Sequence, residues 1–105
     1  MAERIVIASD ALTAEIAPLG AELQSLRDAQ GRDYMSDGDA SFWRGRAPLL
    51  FPIVGRLNGD SYALDGEHFA MPKHGFARTS PFVPIVTEAA RAVFRLTDTA
   101  QTRAA

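Results

Sequence analysis

The sequence predicts an antiparallel all-β sandwich. Short runs that are rich in β-branched residues or alternate apolar with polar recur about every 8–12 residues, and turn-forming residues separate them. Stretches with helical spacing are few, and strands following strands without intervening helices belong to antiparallel folds. At 105 residues the chain is expected to be a single domain, 1–105, or part of one.

Residues 4–8, RIVIA, form the first expected strand and stop at Ser9-Asp10. In residues 12–16, LTAEI, Leu12, Ala14 and Ile16 alternate with Thr13 and Glu15, the pattern of a strand with one buried face. Pro18 and Gly20 end it. Residues 21–28, AELQSLRD, leave an alternative open, because Leu23 and Leu26 stand three apart as on a helix face; the short span before the turn at 28–31 favours a strand. In FWRGRAPLLFPIVGRLNGD, residues 42–60, the apolar Phe42, Trp43, Leu49, Leu50, Phe51, Ile53 and Val54 read as core. Pro48 and Pro52 exclude regular pairing in a central strand, so the backbone here is expected to be a constrained, extended loop. Residues 61–71, SYALDGEHFAM, read as a hairpin turning at Asp65-Gly66, a pair suited to positive φ. Residues 91–99, RAVFRLTDT, make the last expected strand, with Ala92, Phe94 and Leu96 on one face. The closing TAQTRAA adds no further strand. Six or so strands would leave edges uncovered, so the expectation is an incomplete sandwich or a homo-oligomer joined at strand edges.

Composition narrows the function. The hydrophobic fraction of 47% and charged fraction of 23% are those of a globular chain, not a disordered one. Eleven basic residues set among thirteen acidic ones give a net charge of −2 and no field for a phosphate backbone, so nucleic acid is not expected as a partner. Cysteine is absent, which removes disulfides, thiolate nucleophiles and cysteine-ligated zinc. The start MAERIVIASD lacks the basic head and long apolar run of a secretory signal, and no apolar run approaches a membrane span. The expectation is a cytoplasmic protein with no membrane partner.

Two segments concentrate polar chemistry. Arg44, Arg46 and Arg56 read singly as surface cations, but Arg56 follows Gly55 and precedes LNGD, where a guanidinium fork can approach a polar ligand. The stretch AMPKHGFAR places His74 and Arg78 around Gly75 in a segment too irregular for a strand, and an imidazole there can exchange hydrogen bonds with hydroxyl or ring oxygens. Trp43 and Phe76 offer stacking faces. His68 sits in the hairpin and reads as a surface residue; with His74 it makes no recognisable metal site, and none is expected. Asp37, Asp39, Asp60, Asp65 and Glu67 read as turn formers. No Ser-His-Asp order, phosphate-binding glycine loop or zinc motif is present.

The stretches PLGAELQSL, LFPIVGRL and MPKHGFAR, within residues 5–97, resemble the N-terminal part of the aldose 1-epimerase (galactose mutarotase) family, in its bacterial epimerase-like branch. The resemblance implies a β-supersandwich of which this chain is the N-terminal portion, an aldohexose as small-molecule partner, and no cofactor. It implies acid–base interconversion of α and β anomers: a glutamate takes the anomeric hydroxyl proton while a histidine protonates the ring oxygen. By motif position Arg56 corresponds to an arginine that contacts sugar hydroxyls. His74 corresponds to the first active-site histidine, which holds the sugar near its ring oxygen. Phe76 and Arg78 are the neighbouring substrate-binding candidates. The HGFAR form is shared with hexose-6-phosphate epimerases, where arginines can serve a phosphate. The family's acid histidine and base glutamate correspond to no residue of 1–105, so this stretch alone is expected to be a poor catalyst; positioned proton transfers contribute ~10²–10⁴-fold each. A non-catalytic carbohydrate-binding domain, or one related to the hexose-6-phosphate epimerases, is the alternative.

Overall fold

The computed structural model describes residues 4–35 and 46–103. Phe42, Trp43, Arg44, Asp37 and Asp39 therefore lie outside the described residues. Antiparallel pairing is universal among the named strands. β1 (Ile5–Ala8), β2 (Leu12–Ala17) and β3 (Glu22–Asp28) form a three-stranded meander, while β4 (Ser61–Leu64) pairs with β5 (Glu67–Ala70) and β6 (Val83–Thr87) with β7 (Ala92–Arg95). Two 3₁₀ turns, Asn58–Asp60 and Ala77–Thr79, and a one-turn helix α1 (Ala100–Arg103) complete the order. No helix among the described residues is long and apolar enough to cross a membrane.

Register explains the ambiguity of residues 21–28. Ile5 pairs with Ile16 and Ile7 with Ala14, so these four share a face. On the other side of β2, Ala14 pairs with Leu26 but Ile16 pairs with Leu23, because the register shifts between Glu15 and Ile16. The extra residue places Leu23 and Leu26 on one face although they are three apart, which is how a bulge imitates helical spacing. The opposite face carries Ser25, buried at 2% exposure, whose hydroxyl donates to Glu15 Oε2 at 3.2 Å.

The hairpin forms as expected. Asp65 (φ 52) and Gly66 (φ 81) are the two left-handed residues of its turn, and Tyr62 stacks on its partner Phe69 with ring centroids 5.4 Å apart. β6 has no counterpart among the expected strands, because Pro84 interrupts its alternation. Pro84 is tolerated there because β6 is paired only with β7 among the described residues and its register shifts between Pro84 and Val86. β7 is shorter than expected, ending at Arg95.

The expected core in the proline-flanked loop is the main correction. Leu49, Phe51 and Val54 are exposed, at 46%, 58% and 77%, and among apolar side chains of the described residues only Met71 and Ala77 are buried. The reason is architectural: among the described residues the extensive contacts between elements lie within each sheet, and no second layer of described strands covers these apolar side chains. A radius of gyration of 16.4 Å exceeds the ~13 Å of a compact domain of this length.

Candidate functional site

Three loops converge where the two polar segments meet. Residues 46–57 are tied to β3 at their start: Glu22 Oε2 accepts from the Arg46 and Ala47 amides at 2.7 and 3.0 Å, and the Arg46 guanidinium donates to Gln24 C=O at 2.7 Å. Arg46, expected on the surface, is thus a half-buried tether. From there the loop reaches Phe51, joined to Pro52 by a cis peptide bond, and then Gly55 and Arg56.

The second segment docks on it through its backbone. Phe51 C=O accepts from Phe76 N–H at 3.0 Å and from Ala77 N–H at 3.2 Å, beside a parallel bridge between Phe51 and Gly75. Gly75 is required at this crossing. Its φ is +76, and a Cβ would stand 2.2 Å from the Phe51 carbonyl oxygen. The rings of Phe51 and Phe76 meet edge to face at 6.3 Å. The third loop, after β2, joins from the far side: Gly20 N–H donates to Ser80 C=O at 2.7 Å, Phe82 N–H to Pro18 C=O at 2.9 Å, and a Cβ on Gly20 would meet the Arg78 carbonyl oxygen at 2.6 Å.

His74 occupies the third position of a four-residue turn closed by Gly75 N–H to Pro72 C=O at 2.9 Å. Its φ of 65 is left-handed, where turns usually place glycine or asparagine. A second contact holds the ring: Gly55 N–H donates to His74 Nδ1 at 2.9 Å, and His74 N–H donates to Gly55 C=O at 2.8 Å. The structure therefore brings His74 beside the backbone that carries Arg56. The Arg56 guanidinium turns to Asp60, with Nε 3.0 Å from Oδ1, and remains 68% exposed. That contact is an ion pair by distance only, since the solvent-shielded Oδ1 receives no hydrogen bond of good geometry among the described residues. Arg78, exposed in the second 3₁₀ turn, reaches back to Lys73 C=O at 3.4 Å.

Phe76 is separated from the other candidates in one respect. Phe76 and Phe51 line an open cleft of about 250 Å³ together with Leu96, Thr97, Asp98, Thr102 and Arg103, whereas His74, Arg56 and Arg78 do not line it. His68 is exposed on β5, and among the described residues no three His, Asp or Glu side chains are placed to hold a metal ion. Among the described residues, hydrogen bonds shift acidities at the end of β3 and in the turn that follows it. The Arg32 amide and the Tyr34 hydroxyl hold Asp28 below the ordinary aspartate value, the Met35 amide does the same for Asp33, and the Asp28 hydrogen bond raises Tyr34. Sequence reasoning named Arg56, His74, Phe76 and Arg78 and noted Gly55 beside Arg56, but it did not foresee that Gly55 holds His74 or that Phe51 and Gly20 dock the neighbouring backbone. The glycines beside the arginine and histidine were the available signal.

Comparison with known proteins bears on the family and the fold of the chain. A family model described as aldose 1-epimerase matches residues 3–104. The chain is 36% identical over 84 residues to the chromosomal protein LacX of Lactococcus lactis, an alignment covering 74% of this chain and 28% of LacX. A galactose mutarotase related enzyme from Lactobacillus acidophilus superposes with a TM-score of 0.93 at 33% identity, over 96% of this chain and 34% of that one. A galactose mutarotase-like protein from Lactobacillus casei gives 0.92 at 37% identity, over 96% and 35%. The chain thus spans about a third of the length of these relatives and has their fold.

Proposed function

This chain belongs to the aldose 1-epimerase family, and on that premise we propose that it binds a free aldohexose, or a hexose phosphate, and takes part in interconverting the α and β anomers. In this reading the Arg56 fork meets sugar hydroxyls, His74 sits at the ring oxygen, Phe76 offers an apolar face, and Arg78 meets a phosphate where one is present. The reaction is a proton shuttle. A base removes the proton of the anomeric hydroxyl and an acid protonates the ring oxygen; the bond from C1 to the ring oxygen breaks, and the open aldehyde recloses on its other face. His74 is this chain's catalytic contribution, and the base glutamate and acid histidine come from polypeptide equivalent to the rest of the relatives' length. Residues 1–105 are accordingly the N-terminal part of a longer family domain. The exposed apolar residues of the proline-flanked loop and the 28–35% coverage of the relatives support that placement.

The observation that carries the reading is His74 itself, a non-glycine residue in left-handed backbone, tied twice to the loop bearing Arg56. Backbone in sparsely populated conformations costs ~1–3 kcal/mol and clusters where side chains do chemistry. Titration with galactose, glucose and hexose 6-phosphates, followed by NMR, tests it. Saturable shifts around residues 55–56 and 74–78, weakened about tenfold or more in His74→Ala, are expected, since one hydrogen bond is worth about a factor of ten. The absence of a saturable response to every one of these sugars overturns the reading. Polarimetry on fresh α-D-galactose then separates catalysis from binding: acceleration by this chain alone, lost in His74→Ala, would place a base within the 105 residues.

A further inference from the structure

Gly55 meets His74 with both of its peptide groups. Its carbonyl accepts from the His74 amide, and its amide donates to the His74 ring at Nδ1, 2.9 Å away. A backbone amide can only donate. Nδ1 must therefore present its lone pair, and the neutral imidazole then carries its proton on Nε2. Turning the ring over would set Cδ2–H against the Gly55 N–H, so the same contact selects the ring's orientation. Nε2 has no hydrogen-bond partner among the described residues, and the ring is half-buried. Gly55 is suited to the task because its φ of +91 is the left-handed conformation in which its N–H and C=O both reach His74, and no side chain intervenes.

We propose that Gly55 is a positioning residue that holds His74 as its Nε2–H tautomer, so that the ring acts as a hydrogen-bond donor and the ligand atom facing it must bear a lone pair. A ring oxygen or a hydroxyl meets that demand. An ammonium group does not, because two donors would face each other. The sugar reading above enters only in the identity of the ligand; the tautomer follows from the Gly55 contact alone.

The test uses the full chain with ¹⁵N-labelled histidine, read by long-range proton–nitrogen correlation while the ring is neutral. The expected pattern is pyridine-like Nδ1 and pyrrole-like Nε2 at His74, with scalar coupling across the hydrogen bond from the Gly55 amide to Nδ1. The chain has two histidines, and exposed His68 is the internal reference for an unconstrained ring. A pyrrole-like Nδ1, or a His74 pattern averaged like that of His68, overturns the proposal. Two variants test the donor role. His74→Gln keeps an amide N–H near the Nε2 position, whereas the shorter His74→Asn side chain reaches only the Nδ1 position and leaves no donor at Nε2. Galactose binding within about tenfold of wild type in the glutamine variant, and weaker in the asparagine variant, is expected for one retained hydrogen bond. The reverse order overturns the donor role. An Nε2–H ring in a protein that binds no sugar leaves the positioning role standing and removes the sugar reading instead.

Discussion

Replacing Gly75 with alanine should unseat one loop of the site from the other, and the cost can be worked from the crossing itself. At φ +76 any L side chain carries the left-handed penalty of ~1–2 kcal/mol. Gly55 supplies the control, because its φ is +91 and a Cβ there would meet nothing within 4 Å, so Gly55→Ala should cost that penalty alone. At Gly75 the new methyl would also stand 2.2 Å from the Phe51 carbonyl oxygen, 2.5 Å from its carbon and 2.7 Å from the Pro52 nitrogen, all backbone atoms. Relief requires a retreat of roughly 1 Å, which carries the Phe51 carbonyl beyond hydrogen-bond reach of the Phe76 and Ala77 amides, now at 3.0 and 3.2 Å. Each such bond contributes ~0.5–1.5 kcal/mol net. The sum for Gly75→Ala is about 2–5 kcal/mol, against about 1–2 for Gly55→Ala. Urea unfolding read by circular dichroism, with midpoints compared at equal slope, measures both. Equal losses in the two variants would refute the reasoning, since the clash and the broken bonds would then carry no energy.

Three further outcomes are expected. Arg56→Ala should move the urea midpoint by no more than ~1 kcal/mol, because its pair with Asp60 is exposed, while galactose or hexose-phosphate affinity falls. Asp28 binds its proton less tightly in the folded chain than in the unfolded one, so its stabilisation is present above the ordinary aspartate pKa and disappears as the pH falls through the lower folded value. Asp28→Asn should reduce that acid-side dependence of the melting temperature, leaving the part due to Asp33. Ile85→Asp, on the exposed face of β6, should change this chain's own stability by less than ~0.5 kcal/mol, as surface substitutions do. The same change should weaken association with polypeptide supplying the rest of a family domain, measured by co-purification and light scattering.

The legible parts of this chain are those in which local chemistry dictates geometry. Asp65-Gly66 specified a tight hairpin because its two residues tolerate positive φ, and Pro48 and Pro52 specified an irregular loop because they withhold amides from a ladder. β6 escaped notice because Pro84 argues against a strand unless one knows that it lies at a register shift in a strand that pairs, among the described residues, only with β7. Burial was misjudged in the loop of Phe51 and Val54 for a different reason. Apolar character states that a side chain favours cover, but whether cover exists depends on layers contributed from elsewhere.

By itself, then, the sequence determined an all-β antiparallel chain and singled out Arg56, His74, Phe76 and Arg78 as the candidate site residues. Tertiary structure decided how they are arranged. His74 lies nineteen positions from Gly55, and only the folded backbone brings that amide to Nδ1. Phe76 was sent instead to Phe51 and the cleft beneath α1. The physical reason is range: turn and strand preferences act over a few residues, whereas a hydrogen bond between distant loops depends on where the whole chain places two atoms.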